Sequence, residues 1–157
     1  MGTESTVLVS PEQFIAARNR LVGTIRETPT TLSHSLSQRF SRDVYLKREF
    51  MQRTGSFKLR GAFNRLSQLP SGAAIVAASA GNHAQGVALA ARLLNQTATI
   101  FMPMSASLPK LVATRSYGAH VIQEGVTTDD SIVAAQRFSG ESGAIFISPF
   151  DHEDVIA

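Results

Sequence analysis

The 157-residue chain carries 15 Lys and Arg against 12 Asp and Glu, a formal net charge of +3 that is too slight to predict a nucleic-acid partner by itself. It has no cysteine, which excludes disulfides, thiolate metal sites and a cysteine nucleophile. Hydrophobic content of 43% is that of a globular domain, and no apolar run approaches the roughly 18 to 20 residues of a membrane span.

The start, Met1-Gly2-Thr3-Glu4-Ser5-Thr6, has no basic region followed by an apolar stretch, so no secretory signal is expected and a cytoplasmic location is. Met1, Gly2 and Thr6 meet the bare myristoylation pattern, a match short enough to arise by chance. Ser10-Pro11-Glu12-Gln13 then reads as N-cap, N1 proline and capping-box glutamine. It opens a helix whose apolar face is Phe14, Ala17 and Leu21 and whose stop is Gly23. A second short helix is expected after Pro29, carried by Leu32, Leu36 and Phe40 at i, i+4, i+8. Residues 44–49 read as a strand.

Next comes Ser56-Phe57-Lys58-Leu59-Arg60-Gly61-Ala62, which seats a lysine in the first turn of a helix between two apolar residues. A helix N-terminus disfavours an ammonium, and partial burial beside Phe57 and Leu59, with Arg60 nearby, acts in the same direction. An amine placed so is prepared to attack a carbonyl compound. Phe57, Ala62, Phe63, Leu66 and Leu69 are expected to form the inner stripe of this helix.

The apolar run at 73–78 leads at once into Ser79-Ala80-Gly81-Asn82-His83-Ala84-Gln85-Gly86 and a small-residue helix to about Leu94. Strand, tight turn and helix in this order put successive N–H groups at a helix start, a seat for a carboxylate or phosphate; Ser79 or Asn82 could equally cap an ordinary turn. The glycine spacing fits neither a P-loop nor a G-x-G-x-x-G dinucleotide site. Further strands are expected at 97–102, 119–123 and 144–148, with helices at 107–117 and 129–138 between them. Strands alternating with helices predict an α/β fold: a parallel sheet with helices on both faces and a ligand at the carboxyl ends of its strands.

Other constellations carry less. His34, His83, His120 and His152 share no metal-ligand spacing, and no metal site is expected. Asp151-His152-Glu153-Asp154 reads as a solvated acidic turn. Ser79 and His83 stand four residues apart, but no G-x-S-x-G elbow or orienting aspartate supports a hydrolase.

Together, Val44-Tyr45-Leu46-Lys47-Arg48-Glu49, the stretch from Met51-Gln52-Arg53-Thr54-Gly55 through the lysine motif to Phe63-Asn64, and Ser79-Ala80-Gly81-Asn82-His83-Ala84-Gln85-Gly86-Val87 resemble the fold-type-II pyridoxal-phosphate enzymes. The threonine/serine dehydratases, or threonine ammonia-lyases, are the most similar branch. The likeness continues through Met102-Pro103, Lys110, Ala113-Thr114-Arg115, Tyr117-Gly118-Ala119 and Pro149-Phe150-Asp151 to Val155-Ile156-Ala157. It implies a tryptophan-synthase-β-like fold and pyridoxal 5'-phosphate as cofactor. Position by position, it implies that Lys58 binds the cofactor covalently and shuttles the α-proton. Asn82 would hydrogen-bond the cofactor's ring oxygen, Phe57 would line its pocket, and the backbone of Ser79, Ala80, Gly81, Asn82 and His83 would grip the substrate carboxylate.

The reaction implied is dehydration and deamination of L-threonine or L-serine to 2-oxobutanoate or pyruvate and ammonia, with a small amino acid as partner and no nucleic acid or membrane. Lys47, Arg48, Arg53, Lys58, Arg60 and Arg65 crowd one stretch opposed only by Glu49, and an anionic cofactor and substrate would explain them. Ala80 stands where racemases of this fold place a serine, so a dehydratase is favoured over a serine-racemase-like enzyme. Phe50 stands where relatives usually carry Asp or Asn. The resemblance assigns residues 1–52 to a large subdomain, 53–150 to a small mobile one and 151–157 to the return. Because it implies a catalytic unit about twice as long and homo-oligomeric, the chain is expected to be an N-terminal half, inactive alone. A non-catalytic binding or assembly module of the same fold is the contrasting expectation.

Overall fold

The computed structural model describes residues 9–157, so Met1, Gly2 and Thr6 of the acylation-like pattern lie outside it. Helix α1 spans Pro11–Leu21 and starts as expected: Ser10 Oγ accepts from the Gln13 amide at 3.4 Å and Gln13 Oε1 accepts from the Ser10 amide at 2.7 Å. Both orphan donors are thereby met by reciprocal bonds. Ala17 and Leu21 are buried, while Phe14 stays half exposed.

The next segment departs from expectation. Leu32 belongs to a strand, β1 (Thr30–Leu32), and the second helix, α2, covers only His34–Phe40 with no buried residue. Strand β2 is limited to Tyr45–Lys47 and pairs antiparallel with β1, Thr30 opposite Lys47 and Leu32 opposite Tyr45. Flanking bonds from the Ser33 amide to the Val44 carbonyl and from the Arg48 amide to the Pro29 carbonyl extend this ladder. Non-local pairing thus overrides an apolar spacing that by itself fits a helix. A one-turn 3-10 helix, Glu49–Met51, then ends the strand reading early, and Phe50 points largely to solvent.

Helix α3 spans Lys58–Leu66, and the parallel sheet follows: β3 (Ala74–Ala78), α4 (Asn82–Leu93), β4 (Thr97–Met102), α5 (Leu108–Ser116), β5 (His120–Gln123), α6 (Thr128–Ser142), β6 (Ile145–Phe146) and α7 (Glu153–Ile156). The strand order is β5-β4-β3-β6, with all pairs parallel. The expected last strand shrinks to two residues because the Ala144 carbonyl bonds Ser139 Oγ at 2.6 Å instead of entering the ladder.

Alternation along the strands splits the core in two, as the strand period requires. Ile75, Ala77, Ile100, Met102 and Val121 face the layer of α3, α4 and α5; Val76, Ala78 and Phe101 face Ala134 and Ala135 of α6. The expected parallel sheet with helices on both faces is present. Small residues let α4 and α3 approach closely: a Cβ on Gly86 would lie 3.0 Å from the backbone carbon of Lys58.

Candidate active site

Lys58 is the first residue of α3, and no side chain caps this helix start. Its Nζ donates to the Pro149 carbonyl at 2.9 Å and sits 5.3 Å from the ring centroid of Phe57 and 5.8 Å from that of Phe150. Phe57 is 56% exposed, which corrects its place in the inner stripe. The buried stripe is Leu59, Ala62, Phe63 and Leu66, spaced i, i+3, i+4, i+7; Phe57, two residues before Leu59, falls on the other side of the helix. The lysine is therefore flanked by one core residue and one exposed ring.

The turn after β3 lies at the carboxyl end of the strand. Gly81 is the N-cap of α4, Ser79 Oγ accepts from the Gly81 amide at 3.1 Å, and neither Ser79 nor Asn82 caps the helix. The first amides of α4 therefore lack a side-chain acceptor, the condition in which a helix start takes an anion. Asn82 is exposed, Ser79 and Ala80 are half-buried, and Gly81 and His83 are buried. Gly86, one turn into α4, lets this helix pack closely on the Lys58 backbone, and the charge of Lys58 acts on His83 in the first turn.

His83 has a structural task that the sequence did not disclose. Its Nε2 donates to the Ile147 carbonyl at 3.3 Å, tying α4 to the segment after β6. Burial, joined by the nearby charge of Lys58, lowers its pKa to about 4, so the ring is neutral at pH 7 and Nδ1 is an acceptor. Among the described residues that Nδ1 has no partner, and neither does the buried Ser56 Oγ, two residues before Lys58.

The basic cluster is mostly committed inside the chain, which corrects its reading as a seat for anions. Arg60 pairs with Glu49 through two bonds of 2.8 and 2.7 Å, and this holds the Glu49 carboxyl below its usual range. Thr28 Oγ1 also donates to Glu49, and Lys47 Nζ donates to the Thr28 carbonyl at 2.6 Å. Arg48 bonds Thr31, Arg53 the Thr24 carbonyl, and Arg65 pairs with Asp154 at 3.1 Å. The last pair corrects the acidic turn as well. Asp154 and His152 open α7, which docks on α3 through Arg65, Asn64 and the bare face of Gly61. A cavity of about 570 Å³ is lined by α1 residues, Lys47, Arg60 and Ala157, and Lys58 is not part of its lining.

A lysine beside an open helix start, at the strand ends of a parallel sheet, is the arrangement the family comparison resolves. Residues 21–157 match the family described as pyridoxal-phosphate dependent enzyme. The chain belongs to this family. It is 43% identical over 153 residues to an L-threonine ammonia-lyase of Thermotoga maritima, covering 96% of this chain and 38% of that protein. It is 44% identical over 153 residues to an L-threo-3-hydroxyaspartate ammonia-lyase of a Pseudomonas species, covering 96% and 48%. The processed form of threonine deaminase isoform 2 from Solanum lycopersicum superposes with a TM-score of 0.81 at 39% identity, covering 98% of this chain and 44% of that one. The chain thus spans less than half the length of these relatives.

The residues present fit the family's cofactor on this structure's own evidence. Open amides at the start of α4 suit an anionic group, Lys58 supplies an amine, and Ser56 Oγ and His83 Nδ1 are buried polar atoms without a partner among the described residues. Pro149 and Phe150, 91 and 92 residues beyond Lys58, complete the lysine's surroundings. Neither belongs to the lysine or turn motif, and only the return of the chain after β6 brings them there.

Proposed function

We propose that this chain carries the cofactor lysine and the substrate-carboxylate turn of an ammonia-lyase acting on L-threonine and L-serine, yielding 2-oxobutanoate or pyruvate and ammonia. The observation that carries the reading is the close packing of α4 on the first residue of α3 at Gly86, one turn beyond the open start of α4, with the charge of Lys58 acting on His83 in that first turn. Pyridoxal phosphate, when bound, supplies the electron sink that makes α-proton loss accessible. Lys58 would hold it covalently and move the α-proton with Nζ. Asn82, exposed at the first turn of α4, would hydrogen-bond its ring oxygen, and Phe57, with its ring centroid 5.3 Å from Nζ, would line its pocket. The turn at residues 79–83 would grip the substrate carboxylate through the amides of Ala80, Asn82 and His83, and would fix which bond lies ready to break. The other two amides are engaged, that of Ser79 with the Phe101 carbonyl and that of Gly81 with Ser79 Oγ. Ala80 offers no hydroxyl for a proton on the opposite face, which favours elimination over racemisation.

The test uses the chain with pyridoxal phosphate, borohydride and peptide mapping. Label should fall on Lys58, and L-threonine or L-serine added before reduction should diminish it. Label spread evenly over Lys47, Lys58 and Lys110 would refute the assignment of the lysine. Label on Lys58 that no amino acid displaces would favour a non-catalytic module.

A further inference from the structure

The carboxylate turn has a neighbour that neither the lysine motif nor the turn motif contains. Lys110, on the first turn of α5, lays its side chain along the open face of Gly81: a Cβ there would lie 2.7 Å from Lys110 Nζ, 2.8 Å from Cδ and 3.0 Å from Cε. Among the described residues Lys110 has no ion-pair partner, and its ammonium donates no hydrogen bond, whereas the cations of the basic stretch have internal acceptors. An unpaired ammonium beside the start of a helix is set against the positive end of the dipole, an arrangement that an arriving anion relieves twice.

The same helix start holds a buried polar atom without a partner among the described residues. His83, the second residue of α4, is 3% exposed, and its Nδ1 is an acceptor without a donor. An amino acid brings the carboxylate that the unpaired Lys110 ammonium lacks.

We propose that Lys110 is a substrate-binding residue that pairs directly with the amino-acid carboxylate held by the turn at 79–83. The inference rests on the carboxylate reading of that turn. It gives Gly81 a reason beyond the turn itself, because a side chain at this position would occupy the space of the lysine. Lys110 then selects for a free carboxylate and disfavours amides and esters of the same amino acid.

Titration of the 15N-labelled chain with L-threonine, followed at the Gly81, Asn82 and His83 amides, tests both levels. In the parent chain threonine should shift these amides, and L-threonine amide, which lacks the carboxylate, should bind more weakly. Lys110→Met should raise the dissociation constant for threonine roughly tenfold, the size of one charge-assisted contact, and leave that for the amide unchanged. Lys110→Arg should restore most of the loss. Unshifted turn amides in the parent chain would sink the turn reading and the proposal with it. Shifts that Lys110→Met leaves intact, or a loss shared equally by threonine and its amide, would overturn the role of Lys110 alone. Inorganic phosphate showing the same dependence on Lys110 and displacing threonine at equal concentration would make this a general anion seat and refute the amino-acid assignment.

Discussion

Lys58 Nζ and the Pro149 carbonyl, 91 residues apart in sequence, share a hydrogen bond of 2.9 Å that closes the return segment over the start of α3. The same segment presents the Phe150 ring to the amine, while the Phe150 amide donates to Ser148 Oγ at 3.3 Å. In the proposed role of Lys58, covalent capture of Nζ would break or redirect the Pro149 bond. Hydrogen exchange at the Phe150 and Asp151 amides should therefore quicken when pyridoxal phosphate is added, and quicken without it in Lys58→Met. Unchanged exchange in both cases would show that the segment is held independently of the lysine.

His83 makes stability depend on pH. Its pKa is lowered from 6.5 to about 4 in the fold, so the unfolded chain takes up a proton first as pH falls. The contribution is complete above about pH 6.5 and is lost progressively toward pH 4, amounting to about 3 kcal/mol. Urea midpoints at pH 7 and pH 4.5 should differ less in His83→Gln than in the parent chain. An equal difference in both would remove His83 as the cause.

The Glu49 pair anchors the lysine helix to the segment before it. Glu49→Gln keeps the shape but removes the charge opposite Arg60, and should cost about 1 to 3 kcal/mol by denaturant unfolding. Because the Arg60 hydrogen bonds depress the carboxyl pKa, this contribution persists above the ordinary glutamate range and fades as pH falls through the lowered value. A stability gap between variant and parent that does not narrow in acid would refute the ion pair as its origin.

Gly61→Ala tests the docking of α7. A Cβ at this position would collide with the Val155 carbonyl, a backbone atom that only a shift of α7 can move. Loss of about 1 to 3 kcal/mol is expected, with faster exchange at the Val155 amide. Neutral behaviour would mean that α7 packs loosely on α3.

What the sequence determined is local. The capping box at Ser10 and Gln13, the strand from Thr97 to Met102 and the helix after Gly81 followed from short-range chemistry, since caps and apolar periodicity act within a turn or two. The lysine motif and the glycine turn were legible for the same reason, and their order along the chain carried the family. Tertiary structure decided the rest. The pairing of Leu32 with Tyr45, the half-exposed ring of Phe57 and the capture of Arg60 and Arg65 by Glu49 and Asp154 depend on partners that no local window contains. Lys58 meets Pro149, and Gly81 meets Lys110, only because parallel strands return the chain to one end of the sheet. Side-chain chemistry is written residue by residue, but which acceptor a given cation reaches is settled by the crossover connections that bring distant segments together.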